Sequence, residues 1–209
     1  MQNLRPDPAL IESAAAFSAA TLHEAAGQQG ALPSAIKPLA SNLSICGPAF
    51  TVLSPPEDNL WLHRAIYAAQ AGDVLIVDTG HAYEAGYWGE IMTHASIQRR
   101  LGGVVIDGCV RDGKCLEELG LPVFARGLCI QGTTKNKQAH GGLNCTIRIG
   151  KVSIEDGDLV VGDSDGVVVI PRQVIPEVLA KAKERKEKEA LAIKDLSAGA
   201  TTLDIYGLS

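Results

Sequence analysis

Apolar positions in the first two thirds of the chain alternate between a helical repeat and short continuous runs. The continuous runs predict buried strands, and the stretches between them predict helices. The predicted strands are Ile45–Leu53, Val74–Asp78, Val104–Asp107 and Pro122–Arg126, and the predicted helices are Pro8–Ala26, Leu60–Ala71, Glu90–Leu101 and Gly113–Leu119, with a loop over Ala31–Ser44. Strands that alternate with helices are typical of βαβ units around a buried, largely parallel sheet.

The last third has a different pattern. Short apolar segments follow one another at close spacing, with turn residues between them such as Gly157-Asp158 and Ser164-Asp165-Gly166. These predict an antiparallel β block. A final helix is expected over Pro176–Leu196, with a mixed charge run from Lys181 to Glu189 that favours a solvated surface. We therefore predict an α/β fold, a single layered domain over residues 1–209 with a β-rich C-terminal half and a C-terminal helix.

Composition and charge exclude several classes of function. The net charge of −5 argues against a general nucleic-acid surface, which needs a basic excess to neutralise phosphates. No run of 18 apolar residues is present, so no membrane partner is expected. The N-terminus lacks the apolar core of a signal peptide, and the five cysteines form no C-x-x-C pair. We expect a cytoplasmic protein with reduced thiols that act as small buried apolar groups.

The candidate chemistry lies where two predicted strands end. The segment Thr79–Met92 follows one strand and Gly108–Gly113 follows the next, and ligands of open α/β sheets bind at such carboxyl ends. Arg111 can bind a planar carboxylate through two parallel hydrogen bonds, and Asp112 can hold a hard cation such as Mg²⁺. The alternative interpretation is structural: Asp112 caps the following helix and Arg111 is solvated.

Other catalytic motifs are absent from the sequence. The glycine pairs match neither a dinucleotide fingerprint nor a Walker loop, the five histidines form no zinc-type pair, and no G-x-S-x-G elbow occurs. A Schiff-base lysine must be desolvated to lower its pKa. Lys135, in Gly132-Thr133-Thr134-Lys135, is the single candidate for that role.

Several segments together resemble a known family. They are Gly72-Asp73-Val74, Trp88–Met92, Gly102–Asp112, Pro122–Gly127, Gly162–Pro171 and Leu203–Tyr206. In this combination the chain resembles the 4-hydroxy-4-methyl-2-oxoglutarate aldolase family, which is related to the regulator of ribonuclease activity A proteins. The match covers about residues 20 to 206, and the block from Trp88 to Asp112 is its most specific part. The segment Arg148-Ile149-Gly150 departs from the more apolar Gly-Gly segment expected there.

The resemblance implies a layered αββα fold of the swivelling-domain type, assembled as a homotrimer or a dimer of trimers. It implies a lyase that uses Mg²⁺ or Mn²⁺ to cleave 4-hydroxy-4-methyl-2-oxoglutarate, or a similar 4-hydroxy-2-oxo acid, to pyruvate. It also implies oxaloacetate decarboxylase activity. In this family Asp112 would bind the metal and Arg111 the pyruvoyl group. Backbone amides of Gly89, Glu90, Ile91 and Met92 would bind the pyruvoyl carboxylate.

The resemblance also implies that glutamates of one subunit reach the site of another. Glu24 matches one of them, and Glu187 and Glu189 are both candidates for a second one on the C-terminal helix. A base must accept the proton of the substrate hydroxyl, and Glu90, Glu24 or the C-terminal glutamate could orient the water that does so. The rival hypothesis is a non-catalytic regulatory protein that binds a ribonuclease or another protein. The presence of Asp112 favours the enzyme.

Overall fold

The computed structural model describes residues 5–208, a mixed α/β architecture. The helices within this range are α1 (Pro8–Ala14), α2 (Ala19–Ala25), α3 (Leu60–Ala68), α4 (Glu90–Gln98), α5 (Gly113–Leu119), α6 (Ile175–Ser197) and α7 (Thr202–Ile205), with a 3₁₀ turn at Arg172–Val174. The strands are β1 (Lys37–Pro38), β2 (Ile45–Leu53), β3 (Val74–Asp78), β4 (Gly103–Ile106), β5 (Cys109–Val110), β6 (Val123–Ala125), β7 (Gly127–Leu128), β8 (Gly142–Leu143), β9 (Ile147–Ile149), β10 (Val152–Ile154), β11 (Leu159–Asp163) and β12 (Gly166–Ile170).

The main sheet has the order β1-β6-β4-β3-β2-β11-β12, with β8 also paired to β2. Its centre is parallel: β2 pairs with β3, β3 with β4, and β4 with β6. Its flank is antiparallel, where β2 meets β11 and β11 meets β12. The prediction of a parallel centre followed by an antiparallel block is therefore confirmed.

The sheet curls until its two edges nearly meet. The segment before β1 runs along β12, since Leu32 N–H donates to Val167 O at 2.9 Å and Val169 N–H donates to Gly30 O at 2.9 Å. A few residues later β1 pairs with the opposite edge strand, β6. The predicted loop Ala31–Ser44 therefore contains a short strand and links the two edges, which gives a nearly closed barrel.

Successive side chains of a strand point to opposite faces of the sheet, and both faces are buried, so the central strands are apolar along their length. On β3, Val74 and Ile76 point into the barrel, whereas Leu75 and Val77 pack toward α3 and α4. On β12, Val167 and Val169 point into the barrel, whereas Val168 and Ile170 pack toward α1, α2 and α6. Helices thus cover two halves of a curled sheet, which is the layered αββα arrangement that the family resemblance implies.

The predicted first helix, Pro8–Ala26, is wrong in one respect, because it is two helices. The Ser18 side chain accepts a hydrogen bond from Thr21 N–H at 3.1 Å, and the Asp163 carboxylate accepts one from Ala19 N–H at 2.8 Å. These acceptors satisfy the free N–H groups of a new helix start. The break turns α2 against β11 and β12, where Leu22 is fully buried.

Other boundaries shift by a few residues. The helix α3 ends before the predicted Ala71, since the Asp73 carboxylate accepts a hydrogen bond from Gln70 N–H. The helix α4 ends before Leu101, with Arg100 in a left-handed conformation. The atypical Arg148 is exposed between buried Ile147 and Ile149, so the hairpin β9–β10 packs normally. No helix in residues 5–208 is both long and apolar enough to cross a membrane.

Candidate active site

The two polar segments that follow β3 and β4 lie side by side. Tyr87 N–H donates to Cys109 O at 3.0 Å, and Arg111 N–H donates to Trp88 O at 2.9 Å. On its other side β5 pairs with β7. The segment that carries Arg111 and Asp112 is therefore held between two neighbouring backbones, next to the start of α4.

Asp112 has an unusual backbone and an unusual hydrogen bond. Its φ of 60° is left-handed, a conformation that costs a residue with a side chain about 1 kcal/mol or more. Its Oδ2 accepts a hydrogen bond from Glu90 N–H at 3.1 Å, at the N-terminus of α4. It makes no side-chain cap bond to α5, the helix that it precedes. The interpretation of Asp112 as an ordinary cap of the following helix is therefore wrong.

Gly89 makes room for that carboxylate. A Cβ at this position would lie 2.5 Å from Asp112 Oδ2 and 3.3 Å from Arg111 Cγ. The backbone of Gly89 is extended, so any residue could adopt it, and the requirement for glycine is one of space. Within residues 5–208, the N–H groups of Ile91 and Met92 in the first turn of α4 have no hydrogen-bond acceptor. This helix end can therefore bind an anion.

These groups surround one cavity of about 220 Å³. Its lining consists of Asn59, His63, Gly86, Trp88, Gly89, Glu90, Ile91, Met92, Arg111, Asp112 and Lys135. The structure thus brings Arg111, Asp112 and the four residues from Gly89 to Met92 together around this cavity. Arg111 and Asp112 remain half-exposed, with Arg111 Nε 3.8 Å from Asp112 Oδ2.

Buried hydrogen bonds link the residues of the wall behind the cavity. Trp88 is fully buried, and its indole N–H donates to Thr93 Oγ1 at 2.8 Å. Thr93 Oγ1 in turn donates to Gly89 O at 3.1 Å, which fixes the backbone next to Asp112. Glu90 is exposed on the other side, with its carboxylate 3.9 Å from His94 Nε2. The carboxylate of Glu90 is also the main cause that raises the pKa of the Cys115 thiol.

A buried carboxylate that the sequence analysis missed holds a second segment over the cavity. Asp58 accepts hydrogen bonds from Leu60 N–H at 2.9 Å, from the Thr134 hydroxyl at 2.8 Å and from Asn136 N–H at 2.5 Å. Burial would raise the pKa of Asp58, but these donors and the charge of Lys135 outweigh it, and its pKa is lowered. The segment Thr134–Asn136 is fixed in this way, and Lys135 with it.

Lys135 is exposed, so the desolvation that a Schiff-base lysine needs is lacking at this residue. Burial and the nearby charge of Lys135 lower the pKa of His63. At neutral pH the positive charge of the cavity therefore comes from Arg111 and Lys135. Asn59 immediately precedes α3 and His63 follows four residues later, a spacing that could have marked both residues in the sequence.

The predicted interface glutamates do not line the cavity of their own chain. Glu24 Oε2 lies 3.6 Å from an Arg185 nitrogen, and Glu189 Oε1 lies 2.8 Å from Arg185 Nε. Glu24 and Glu189 therefore meet on one surface formed by α2 and α6. Glu187 is exposed and has no ion-pair partner in the described part of the chain.

The side chains around the cavity limit the kind of metal ion that it can hold. Among residues 5–208, no group of three or more His, Cys, Asp or Glu residues could hold an ion. Asp112 offers a single half-exposed carboxylate, with Oδ1 free of hydrogen bonds in this range. Mg²⁺ keeps several waters and accepts one or two carboxylates, so a single aspartate with solvent and substrate oxygens fits such an ion.

The chain matches a family model described as RraA-like, Aldolase/RraA, over residues 14–169. A protein from Halalkalibacterium halodurans with the name "Putative 4-hydroxy-4-methyl-2-oxoglutarate aldolase" is 35% identical over 175 residues, which are 84% of this chain and 82% of that protein.

Solved structures agree with the fold. An uncharacterised protein from Pseudomonas syringae pv. tomato aligns with a TM-score of 0.83 at 26% identity, over 97% of this chain and 98% of that one. RraAS2 from Streptomyces coelicolor, described as an unusual member of the RNase ES inhibitor RraA protein family, aligns with a TM-score of 0.79 at 27% identity, over 90% and 97% of the two chains.

Proposed function

This chain belongs to the RraA-like family of aldolases and RraA proteins, and from that premise we propose that it is a divalent-metal-dependent pyruvate aldolase. Its substrate would be 4-hydroxy-4-methyl-2-oxoglutarate or a similar 4-hydroxy-2-oxo acid, and it would also decarboxylate oxaloacetate. The observation that carries the proposal is the convergence of Arg111, Asp112 and the open N-terminus of α4 on one cavity.

The charges of the cavity suit a 2-oxo acid with a second carboxylate. The free N–H groups of Ile91 and Met92 can bind the carboxylate next to the 2-oxo group, where the helix dipole favours negative charge. Arg111 can donate to the same end of the substrate through its planar guanidinium. Lys135 adds a positive charge at the same cavity, which favours a dianion over a neutral substrate.

The chemistry follows from these groups. Retro-aldol cleavage removes the proton of the C4 hydroxyl, breaks the C3–C4 bond and leaves the electron pair on the pyruvate fragment as an enolate, while the C4 oxygen becomes a carbonyl. Arg111 would donate to the developing enolate, a kind of stabilisation worth several kcal/mol. Protonation at C3 then gives pyruvate. Loss of CO₂ from oxaloacetate forms the same enolate.

Asp112 would hold the Mg²⁺ or Mn²⁺, which when bound polarises the C2 carbonyl as a Lewis acid. The hydroxyl proton needs an acceptor, and a water oriented by Glu90, by Glu24 or by a C-terminal glutamate (Glu187 or Glu189) would serve. We propose a homotrimer or dimer of trimers in which Glu24 and that glutamate face the cavity of another subunit. The exposed apolar residues Leu191 and Tyr206 at the C-terminal end support burial against a further copy.

The direct test measures pyruvate release from oxaloacetate and from 4-hydroxy-4-methyl-2-oxoglutarate. We expect activity with Mg²⁺ or Mn²⁺, loss of activity with EDTA, and recovery when the metal is returned. Borohydride with pyruvate should form no stable adduct by mass spectrometry, and Lys135→Arg, which cannot form a Schiff base, should remain active. An adduct that inactivates the wild type and is absent from Lys135→Arg would contradict the metal-enolate mechanism.

A second candidate function is a non-catalytic regulator that binds a ribonuclease. The likeness to the S. coelicolor RraAS2 structure favours it. Release of no pyruvate from either substrate, together with inhibition of a ribonuclease by the purified protein, would select this alternative.

A further inference from the structure

Asn59 lines the cavity at the start of α3 and is held in a single orientation. Only 6% of the residue is exposed. Its Nδ2 donates to Tyr87 O at 3.0 Å and lies 3.6 Å from Met92 Sδ. A flipped amide would place its oxygen against the Tyr87 carbonyl, two acceptors facing each other, so the positions of Nδ2 and Oδ1 are fixed by their surroundings.

The amide oxygen of Asn59 is left without a donor. Oδ1 is buried and has no hydrogen-bond partner among residues 5–208. A buried acceptor without a partner is costly, and native proteins usually satisfy it with water or a ligand. The residue borders the cavity that holds Arg111 and Asp112. A group bound there can supply the missing donor once a small movement of the side chain brings Oδ1 to the cavity surface.

The chemistry of the proposed substrate limits what this donor can be. The carboxylates and the 2-oxo group of the substrate carry only acceptor oxygens, and their partners are N–H groups and cations. The C4 hydroxyl is the single donor on a 4-hydroxy-2-oxo diacid. We infer that Asn59 Oδ1 accepts the hydrogen bond of this hydroxyl, which makes Asn59 a specificity-determining residue. The inference rests on the proposed aldolase function.

This hydrogen bond would assist the aldol cleavage and not the decarboxylation of oxaloacetate. An amide oxygen is too weak a base to take the proton, so Asn59 orients the hydroxyl while the proton passes to a water or carboxylate. The keto form of oxaloacetate has no hydroxyl, and its decarboxylation therefore gains nothing from Asn59. Sites built to hydrogen-bond a substrate hydroxyl discriminate strongly against analogues that lack it.

The test compares kcat/KM for 4-hydroxy-4-methyl-2-oxoglutarate with kcat/KM for oxaloacetate in the protein loaded with Mg²⁺. In Asn59→Leu, which has a similar size and no acceptor, we expect the ratio of the two values to fall at least tenfold. Asn59→Asp keeps an acceptor oxygen but loses the donor to Tyr87 O, so both values should fall. Their ratio should nevertheless fall less than in Asn59→Leu. A ratio is insensitive to general damage, because a loss of folded protein lowers both values equally.

Equal losses on both substrates in both variants would overturn the inference, since they would mean that Asn59 supports the cavity wall or a group common to the two reactions. A ratio that falls as far in Asn59→Asp as in Asn59→Leu would overturn it as well. Failure of the proposed function looks different, because the wild-type protein would then release pyruvate from neither substrate.

Discussion

The two charged clusters of this chain are built in opposite ways. Around the cavity, Asp112 is held by a left-handed backbone, a hydrogen bond from Glu90 N–H and the space left by Gly89. On the α2–α6 surface, Glu24 and Glu189 share Arg185 through long, partly exposed side chains. The first cluster is fixed by the backbone, and the second only by side-chain ion pairs.

Of the two clusters, the one at the cavity contains a strained backbone, at Asp112. A left-handed aspartate costs stability, and such strain is typical of functional sites. Exposed ion pairs contribute about 0–1 kcal/mol each and are screened by salt. We therefore expect changes near the cavity to affect activity strongly, and changes on the α2–α6 surface to affect stability weakly unless a second subunit uses these glutamates.

A large effect on activity is expected from Gly89→Ala. The added Cβ would meet Asp112 Oδ2 at 2.5 Å, so the carboxylate must move. We expect kcat/KM for oxaloacetate to fall at least about 100-fold, since misplacement of about 1 Å can cost that much. Gly132→Ala is the matched control, because its Cβ would lie 3.9 Å from Arg111. Equal activity of the two variants would contradict the role of Gly89.

Arg111→Lys should lower kcat/KM at least about tenfold, which corresponds to ~1.4 kcal/mol. Lysine keeps the charge but lacks the planar fork that donates two parallel hydrogen bonds. Circular dichroism that matches the wild type would exclude unfolding as the cause. A smaller loss would mean that Arg111 does not anchor the substrate.

Complementation tests whether the two clusters meet across subunits. Glu24→Ala and Asp112→Ala should each be nearly inactive. After mixed reassembly of the two, about one quarter of sites would combine an intact Glu24 with an intact Asp112 if each site uses two subunits. Activity should return to about that fraction of the wild-type value. Absence of recovery, with mixed oligomers verified by native mass spectrometry, would contradict a shared site, as would a fully active monomer.

Asp58→Asn should lower the free energy of unfolding by about 1–3 kcal/mol at pH 7, because it disrupts a buried acceptor of three hydrogen bonds. The pKa of Asp58 is lowered in the folded state. The wild-type advantage should therefore be full above about pH 4 and vanish as the pH falls through the lowered pKa. Urea unfolding at several pH values measures this, and a difference independent of pH would contradict it.

The smallest effect is expected from Arg185→Gln. The three partners are about 40% exposed, so the free energy of unfolding of the dissociated chain should change by less than about 1 kcal/mol. Lys183→Gln, on the same helix, serves as a control for the loss of one positive charge. A loss above about 2 kcal/mol would show that the α2–α6 cluster is more than a surface network.

Much of the fold could be predicted because it depends on local patterns. The strands Ile45–Leu53 and Val74–Asp78 and the helix Gly113–Leu119 have the predicted bounds, since each is a short segment set off by turn residues or caps. Arg111 and Asp112 were found because their residue types are rare at the end of a buried strand and matched a family pattern.

The sequence by itself determined which segments form strands and helices and which residues carry charge, because these properties depend on neighbours in the chain. Tertiary structure alone decided that Asp163 starts α2, that Asp112 caps α4 and not α5, and that Asp58 brings Lys135 to the cavity. Each of these hydrogen bonds joins backbone N–H groups to a carboxylate that is distant in the sequence. A capping residue accepts hydrogen bonds from whichever free N–H groups the fold brings within about 3 Å of it. Its partner therefore cannot be predicted from the neighbouring residues in the sequence.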